Sequence, residues 1–184
     1  MIQMSKLFYR SDLLKKRESL DIGQVLELSK KINHNLRLVS EYHEAKTIGC
    51  YQSFKNEPHI HKDVNKKYFL PKITNDHLNF YEDNGVYIKN RFGINEPRDS
   101  KKINTGNLDI ILIPLLAFNV ALFRIGFGKG FYDKTFFKLT KKQNRPSLIG
   151  IGYEFQLIED NFQEDFDVRL DKIVTDSQIY ESEI

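Results

Sequence analysis

The chain has 184 residues, 40% of them hydrophobic and 29% charged, an ordinary globular balance with enough length to bury a core without disulfides or a structural metal. A single cysteine, Cys50, excludes an intrachain disulfide and fits a reducing compartment. Against 25 acidic residues stand 28 basic ones, a net charge of +3 that is too small by itself to imply a polyanionic partner.

Residues 1–10 carry no apolar leader run, so a cytoplasmic protein is expected. From Lys6 to about Arg17 leucines recur at helical spacing among basic residues, and Asp21 with Gln24 forms a capping box for a second helix running toward Tyr42. Strands are expected over Thr47–Tyr51, Tyr68–Ile73, Leu78–Tyr81 and Val86–Ile88. The last two are separated by Glu82, Asp83, Asn84 and Gly85, which tolerate positive φ and predict a hairpin. A polar stretch from Arg91 to Asn107 leads to Asp109–Ile113, a β-branched run suited to a central strand covered on both faces. The most apolar stretch, Ile110 to Phe123, is 14 residues long. That is short of the ~20 a bilayer needs, and Pro114 interrupts any helix, so it reads as a strand entering a loop. A helix over about Tyr132–Lys142, a strand Ser147–Gly152, an acidic segment and a strand Lys172–Asp176 follow. Strands alternating with helices predict an α/β protein, a three-layer α/β/α sandwich with a mostly parallel central sheet. No linker-like stretch or repeat divides it, so residues 1–184 are expected to form one domain.

The segment richest in chemistry is Arg124-Ile125-Gly126-Phe127-Gly128-Lys129-Gly130-Phe131-Tyr132-Asp133. Glycines at alternate positions permit tight turning and close ligand approach, and their N–H groups with Lys129 can face an anion. The pattern is neither a Walker A loop nor the dinucleotide-binding GxGxxG. Such a turn by itself is as often a mere connection. Arg124 before it and Asp133 after it add a guanidinium for phosphate oxygens and a carboxylate for a phosphate-bound cation, for which Mg²⁺ is suited.

This run resembles the signature RLGxGKGYYD of the 5-formyltetrahydrofolate cyclo-ligase family. Agreement continues at Lys6 and Arg10, Tyr51-x-Ser53-x-x-x-Glu57, Leu70-Pro71, Gly93-Ile94-x-Glu96-Pro97, Leu108-Asp109 through Pro114, Ile149 to Gln156, and Asp167-x-x-x-Asp171-x-Ile173-Val174-Thr175. The resemblance implies ATP- and Mg²⁺-dependent conversion of 5-formyltetrahydrofolate to 5,10-methenyltetrahydrofolate with release of ADP and phosphate. It also implies a fold similar to the NagB/RpiA/CoA-transferase-like architecture. Position by position, Lys6 and Arg10, which share one helix face, match the nucleotide-contacting basic pair. Arg124, Gly126, Phe127, Gly128, Lys129, Gly130, Phe131 and Tyr132 match the nucleotide loop, with Arg124, Lys129 and Tyr132 the expected catalytic side chains. Asp133 and Asp167 match the Mg²⁺ carboxylates; Glu57, Phe92 and Phe131 match the folate site. Without the resemblance, the basic pair reads as a solvated helix face, Asp167 as one acid among many, and Phe92 and Phe131 as core.

Some positions depart from the family. Phe127 stands where many relatives have Tyr or Arg, and Phe131 where Tyr is usual. Leu115, Asn119 and Leu122 replace Gly, Asp and Gly, which predicts an altered path for the loop after Pro114. Two other readings compete with the enzyme: a sugar-phosphate isomerase-like protein on a related fold, and a noncatalytic nucleotide- or nucleic-acid-binding module using Lys62, Lys66 and Lys67. Neither a recognisable nucleic-acid motif nor a membrane span supports a macromolecular partner, and a monomer or homodimer acting on a small molecule is expected.

Overall fold

A computed structural model describes residues 5–142 and 144–182. Helix α1 spans Lys6–Glu18, with the Ser5 hydroxyl accepting from the Phe8 N–H. Helix α2, Ile22–Leu38, starts at the expected capping box: Asp21 accepts from the Gln24 N–H, and the Gln24 side chain accepts from the Asp21 N–H. Val39 leaves helical geometry at φ −75 and ψ 119, so the run toward Tyr42 resumes as a separate helix, α3, Ser40–Glu44.

Twelve strands follow among the described residues. They are β1 Thr47–Gly49, β2 Lys67–Thr74, β3 His77–Glu82, β4 Tyr87–Lys89, β5 Asn95–Pro97 and β6 Lys102–Ile103. Next come β7 Ile110–Pro114, β8 Ala117–Phe118, β9 Arg124–Ile125, β10 Ser147–Ile151, β11 Lys172–Val174 and β12 Ile179–Glu181, with helix α4, Phe131–Phe136, between β9 and β10. Eight strands form the main sheet in the order β12-β11-β10-β7-β1-β2-β3-β6. Its centre, β11 to β2, is parallel, and β12, β3 and β6 complete it antiparallel.

Strand β7 lies at the middle of this sheet, and its period-2 alternation divides the core. Ile110 and Leu112 join Ile32, Leu36 and Tyr42 under α2 and α3, whereas Ile111 and Ile113 join Phe80, Phe136 and Leu148 beneath α4. Helix α1 packs elsewhere, through Leu13, on the β8–β9 hairpin. The expected mixed α/β architecture with a large, mostly parallel sheet is therefore what the chain forms.

Three local expectations need correction. The hairpin expected at Glu82–Gly85 forms instead at Asn75 and Asp76, whose φ values of 48° and 61° give the tight left-handed turn that joins β2 to β3. Gly85 is also at positive φ, but it leads into β4, which pairs with β5 in a separate two-stranded sheet. The helix expected to reach Lys142 stops at Phe136 and continues as hydrogen-bonded turns, where the Thr140 hydroxyl donates to the Phe137 carbonyl in competition with helix extension. Strands β5 and β6 within the polar stretch, the short pair β8 and β9 after Pro114, and the edge strand β12 have no counterpart among the expected strands.

Candidate functional site

At the carboxyl ends of β7 and β1, where open parallel sheets leave a crevice, lies an open cavity of about 920 Å³. Every site residue expected from the sequence lines it: Lys6 and Arg10 from α1, Glu57 from the loop after β1, Phe92 from the β4–β5 turn, Arg124 through Asp133 around the glycine loop, and Asp167.

The glycine loop connects β9 to α4. Gly128 and Gly130 take φ values of 88° and 66°, so two of its glycines hold backbone that side chains disfavour. A Cβ on Gly128 would also approach the Arg10 guanidinium carbon at 3.3 Å. That guanidinium braces the loop, its Nε donating to the Gly126 carbonyl at 2.9 Å. Lys129 is exposed and makes no hydrogen bond or ion pair with other described residues, which leaves its ammonium available to a ligand. Helix α4 is fixed to the sheet by Thr135, whose hydroxyl accepts from the Leu78 N–H at 2.8 Å and donates to the Phe131 carbonyl.

Two cation–carboxylate pairs cross the site. Arg124 Nη1 lies 3.1 Å from Asp133 Oδ1, which also accepts from the Val168 N–H. Lys6 Nζ lies 2.7 Å from Asp167 Oδ2, which also accepts from the Glu164 N–H. In each carboxylate the described hydrogen bonds use one oxygen and leave the other unpaired. Among the described residues no cluster of three or more His, Cys, Asp or Glu side chains forms a closed metal cage. Two half-free carboxylates fit a cation that takes its remaining ligands from phosphate and water, as Mg²⁺ does.

Aromatic rings line the cavity beside the glycine loop. Phe92 and Phe131 lie with ring centres 6.1 Å apart, and Phe54 and Phe127 at 6.2 Å. Glu57 is only 4% exposed. Burial pushes its carboxyl up to about 7, against the pull of Arg17 and the Phe54 N–H. The Tyr132 phenol is raised well above its ordinary range by burial, with Glu57 adding and Arg124 opposing, so it stays protonated and can donate a hydrogen bond.

Sequence reasoning missed Arg17, which reads as one more surface cation after Lys15 and Lys16 yet is completely buried. A signal was present: Lys6, Arg10 and Arg17 fall on one helix face, since 4 and 11 residues return near the same angle. It also assigned no role to Glu96, a buried cavity residue that accepts from the Ile73 N–H and the Asn90 amide and so pins β2 to the β4–β5 sheet. The loop after Pro114 is held by Gln156, whose amide donates to the Leu115 and Leu116 carbonyls. Leu122 supplies φ 66°, the backbone a glycine would adopt without strain.

A family model described as the 5-formyltetrahydrofolate cyclo-ligase family matches residues 2–176. The 5-formyltetrahydrofolate cyclo-ligase of Mycoplasma pneumoniae is 30% identical over 181 residues, covering 94% of this chain and 99% of the relative. That of Mycoplasma genitalium is 34% identical over 168 residues, covering 90% and 94%. The solved structure of 5,10-methenyltetrahydrofolate synthetase from Aquifex aeolicus superposes with a TM-score of 0.80 at 28% identity, covering 97% of this chain and 93% of that one. With the glycine loop, the paired carboxylates and the aromatic wall gathered in one crevice, and with matches running nearly end to end, the chain belongs to the 5-formyltetrahydrofolate cyclo-ligase family.

Proposed function

We propose that this chain catalyses the ATP- and Mg²⁺-dependent cyclisation of 5-formyltetrahydrofolate to 5,10-methenyltetrahydrofolate, releasing ADP and phosphate. The observation that carries this reading is the convergence of the basic glycine loop, two half-free carboxylates and an aromatic wall on one cavity. The chemical difficulty is that N10 must close onto a formyl carbon whose oxygen is a poor leaving group. Bound nucleotide with its metal supplies the phosphoryl group that makes this oxygen leave as phosphate.

The chain's own residues position the reactants and hold charge. Lys6, Arg10, Lys129 and the Gly126–Gly130 backbone receive the nucleotide, and Asp133 and Asp167 offer their unpaired oxygens to the metal. Arg124 is buried with one Nη on Asp133, leaving its other donors for the transferring phosphoryl group. Tyr132 donates from a phenol that burial keeps neutral. Phe92 and Phe131 enclose the flat pterin, and Glu57 accepts hydrogen bonds from its N–H-rich edge. Phe127 lies at the loop tip and packs against Phe54.

Of the three lysines in the nucleic-acid reading, two are engaged within the fold and Lys67 is exposed. Lys66 donates to the carbonyls of Tyr42, His43 and Ala45 at the end of α3, and Lys62 pairs with Asp83. Among the described residues no helix is long and apolar enough to cross a membrane; a cytoplasmic site of action is part of the proposal.

The test is growth of methenyltetrahydrofolate absorbance in the near ultraviolet from 5-formyltetrahydrofolate, with ATP or Mg²⁺ omitted in turn. Product is expected only in the complete mixture, and Asp133→Ala is expected to abolish turnover while the protein still folds. Absence of product from folded protein across a range of substrate concentrations overturns the reading; unchanged turnover in Asp133→Ala overturns the metal assignment.

A further inference from the structure

Arg17 is 0% exposed, although it ends the most basic stretch of α1. Its Nε donates to the Lys55 carbonyl at 2.9 Å and its Nη1 to the Leu115 carbonyl at 3.1 Å. Nη2 lies 3.7 Å from Glu57 Oε1, beyond hydrogen-bond distance, and is the only buried side-chain nitrogen or oxygen without a hydrogen-bond partner among the described residues. The guanidinium carbon is 5.5 Å from the centre of the Phe127 ring.

A buried guanidinium is costly unless fully paired, and a leucine or methionine would fill the same space more cheaply. Here one helix residue ties together three pieces of cavity wall: the loop carrying Glu57, the turn after β7, and the glycine loop at Phe127. We propose that Arg17 is a positioning residue for the substrate-binding carboxylate: its Nη2 steadies Glu57 at the cavity wall while its Nε fixes the loop that carries Glu57 and its Nη1 the turn after β7. Arg17 touches no substrate and acts through Glu57, so this rests on the reading of Glu57 given above.

The charged and titratable groups around Glu57 are Arg17 from α1, Tyr51 after β1, Tyr132 from α4 and Tyr153 after β10. The three phenols are raised by burial, with Glu57 adding to the effect, and stay neutral. Arg17 is thus the cation that favours the ionised carboxylate, helped by the Phe54 N–H at 3.1 Å. Removing it leaves burial less opposed.

The experiment compares Arg17→Met, Arg17→Lys, Glu57→Gln and the Met/Gln double variant, with kcat and KM for each substrate measured against pH and with thermal unfolding. Arg17→Met is expected to raise the KM for 5-formyltetrahydrofolate by about tenfold and to leave that for ATP within about twofold. It is expected to move the acid limb of kcat/KM upward by about half a pH unit or more, and to add little in the Glu57→Gln background. Arg17→Lys keeps the charge without the fork, so the limb stays in place while the folate KM rises several-fold; this variant decides if Arg17→Met does not fold. An unchanged folate KM in Arg17→Lys, equal losses for both substrates, or effects of Arg17→Met that add fully to those of Glu57→Gln overturn the proposal. A Glu57→Gln variant with unaltered folate KM overturns the reading of Glu57 itself.

Discussion

Lys6 Nζ sits 2.7 Å from Asp167 Oδ2, so a cation assigned to the nucleotide holds a carboxylate assigned to the metal. Arg124 and Asp133 repeat the relationship at 3.1 Å. Metal arriving alone on the free oxygen of Asp167 lies beside the Lys6 ammonium and is repelled by it, whereas phosphate arriving with the metal draws the ammonium away in exchange. Mg²⁺ titrated calorimetrically without nucleotide is therefore expected to bind at least about tenfold more weakly than with a non-hydrolysable nucleotide. Lys6→Met is expected to tighten Mg²⁺ binding measured alone and to weaken nucleotide binding. Identical Mg²⁺ affinity in Lys6→Met and the parent chain would refute the exchange.

Glu57 sets a conflict between fold and function. Its carboxyl is pushed from 4.5 up to about 7, chiefly by burial. The native state then holds a proton that the unfolded chain has lost between these values. The resulting stability is fully present below about 4.5 and is lost as pH rises through about 7. The proposed binding role needs the ionised form, which only accepts hydrogen bonds. The kcat/KM for the folate substrate is thus expected to rise through about pH 7, while Tm falls over the same interval relative to Glu57→Gln. A flat kcat/KM profile across that interval would contradict the assignment.

The legible parts of the molecule were those with local causes. The Asp21–Gln24 capping box, the β-branched run at Ile110–Ile113 and the alternating glycines each specify their own geometry, and each stands as expected. The hairpin was misplaced because two turn-competent segments, Asn75-Asp76 and Asp83-Asn84-Gly85, flank β3, and pairing across the sheet chose the first. Strand β12 depends on an exposed edge of β11 that no local pattern announces. Arg17 escaped notice for a similar reason: its burial is decided by Lys55, Leu115 and Glu57, residues 38 or more positions away. Of the candidate site only the glycine loop with Arg124 and Asp133 was legible from contiguous residues; Lys6, Arg10, Glu57, Phe92 and Asp167, scattered along the chain, were singled out by the family resemblance alone, and Arg17 lies outside any motif.

Asp109 joins β7 to β1 through one carboxylate oxygen, which accepts from the Lys46 N–H, the Thr47 N–H and the Thr47 hydroxyl at 2.8, 2.8 and 2.9 Å. Desolvation, the largest single influence, pushes its carboxyl up; the Thr47 and Lys46 donors together outweigh this and hold it below the ordinary 3.8. A depressed folded-state value stabilises above about 3.8 and is lost as pH falls toward the folded value. Because the residue is exposed, Asp109→Asn is expected to cost only about 1 kcal/mol at neutral pH. In chemical denaturation that gap should narrow as pH falls below about 3.8, with the folate and ATP KM values unchanged. A gap that persists at low pH would mean that packing, not charge, makes the join.

Leu122 is a leucine in left-handed backbone, at φ 66°, and is only 1% exposed. The conformation costs roughly 1 kcal/mol for a residue with a Cβ, a cost glycine avoids. Its side chain packs in the core beneath α4 with Leu115, Phe118 and Leu170, and its carbonyl accepts from the Leu170 N–H at 2.9 Å. Deleting a buried leucine side chain typically costs about 2–5 kcal/mol, more than the strain it relieves. Leu122→Gly is therefore expected to destabilise by about 1–4 kcal/mol, despite removing the strained backbone. Leu122→Ala is expected to be worse than Leu122→Gly, since it keeps the Cβ strain and loses most of the packing. Equilibrium unfolding in urea measures both. A Leu122→Gly variant as stable as the parent would show that the side chain contributes no more than its backbone costs.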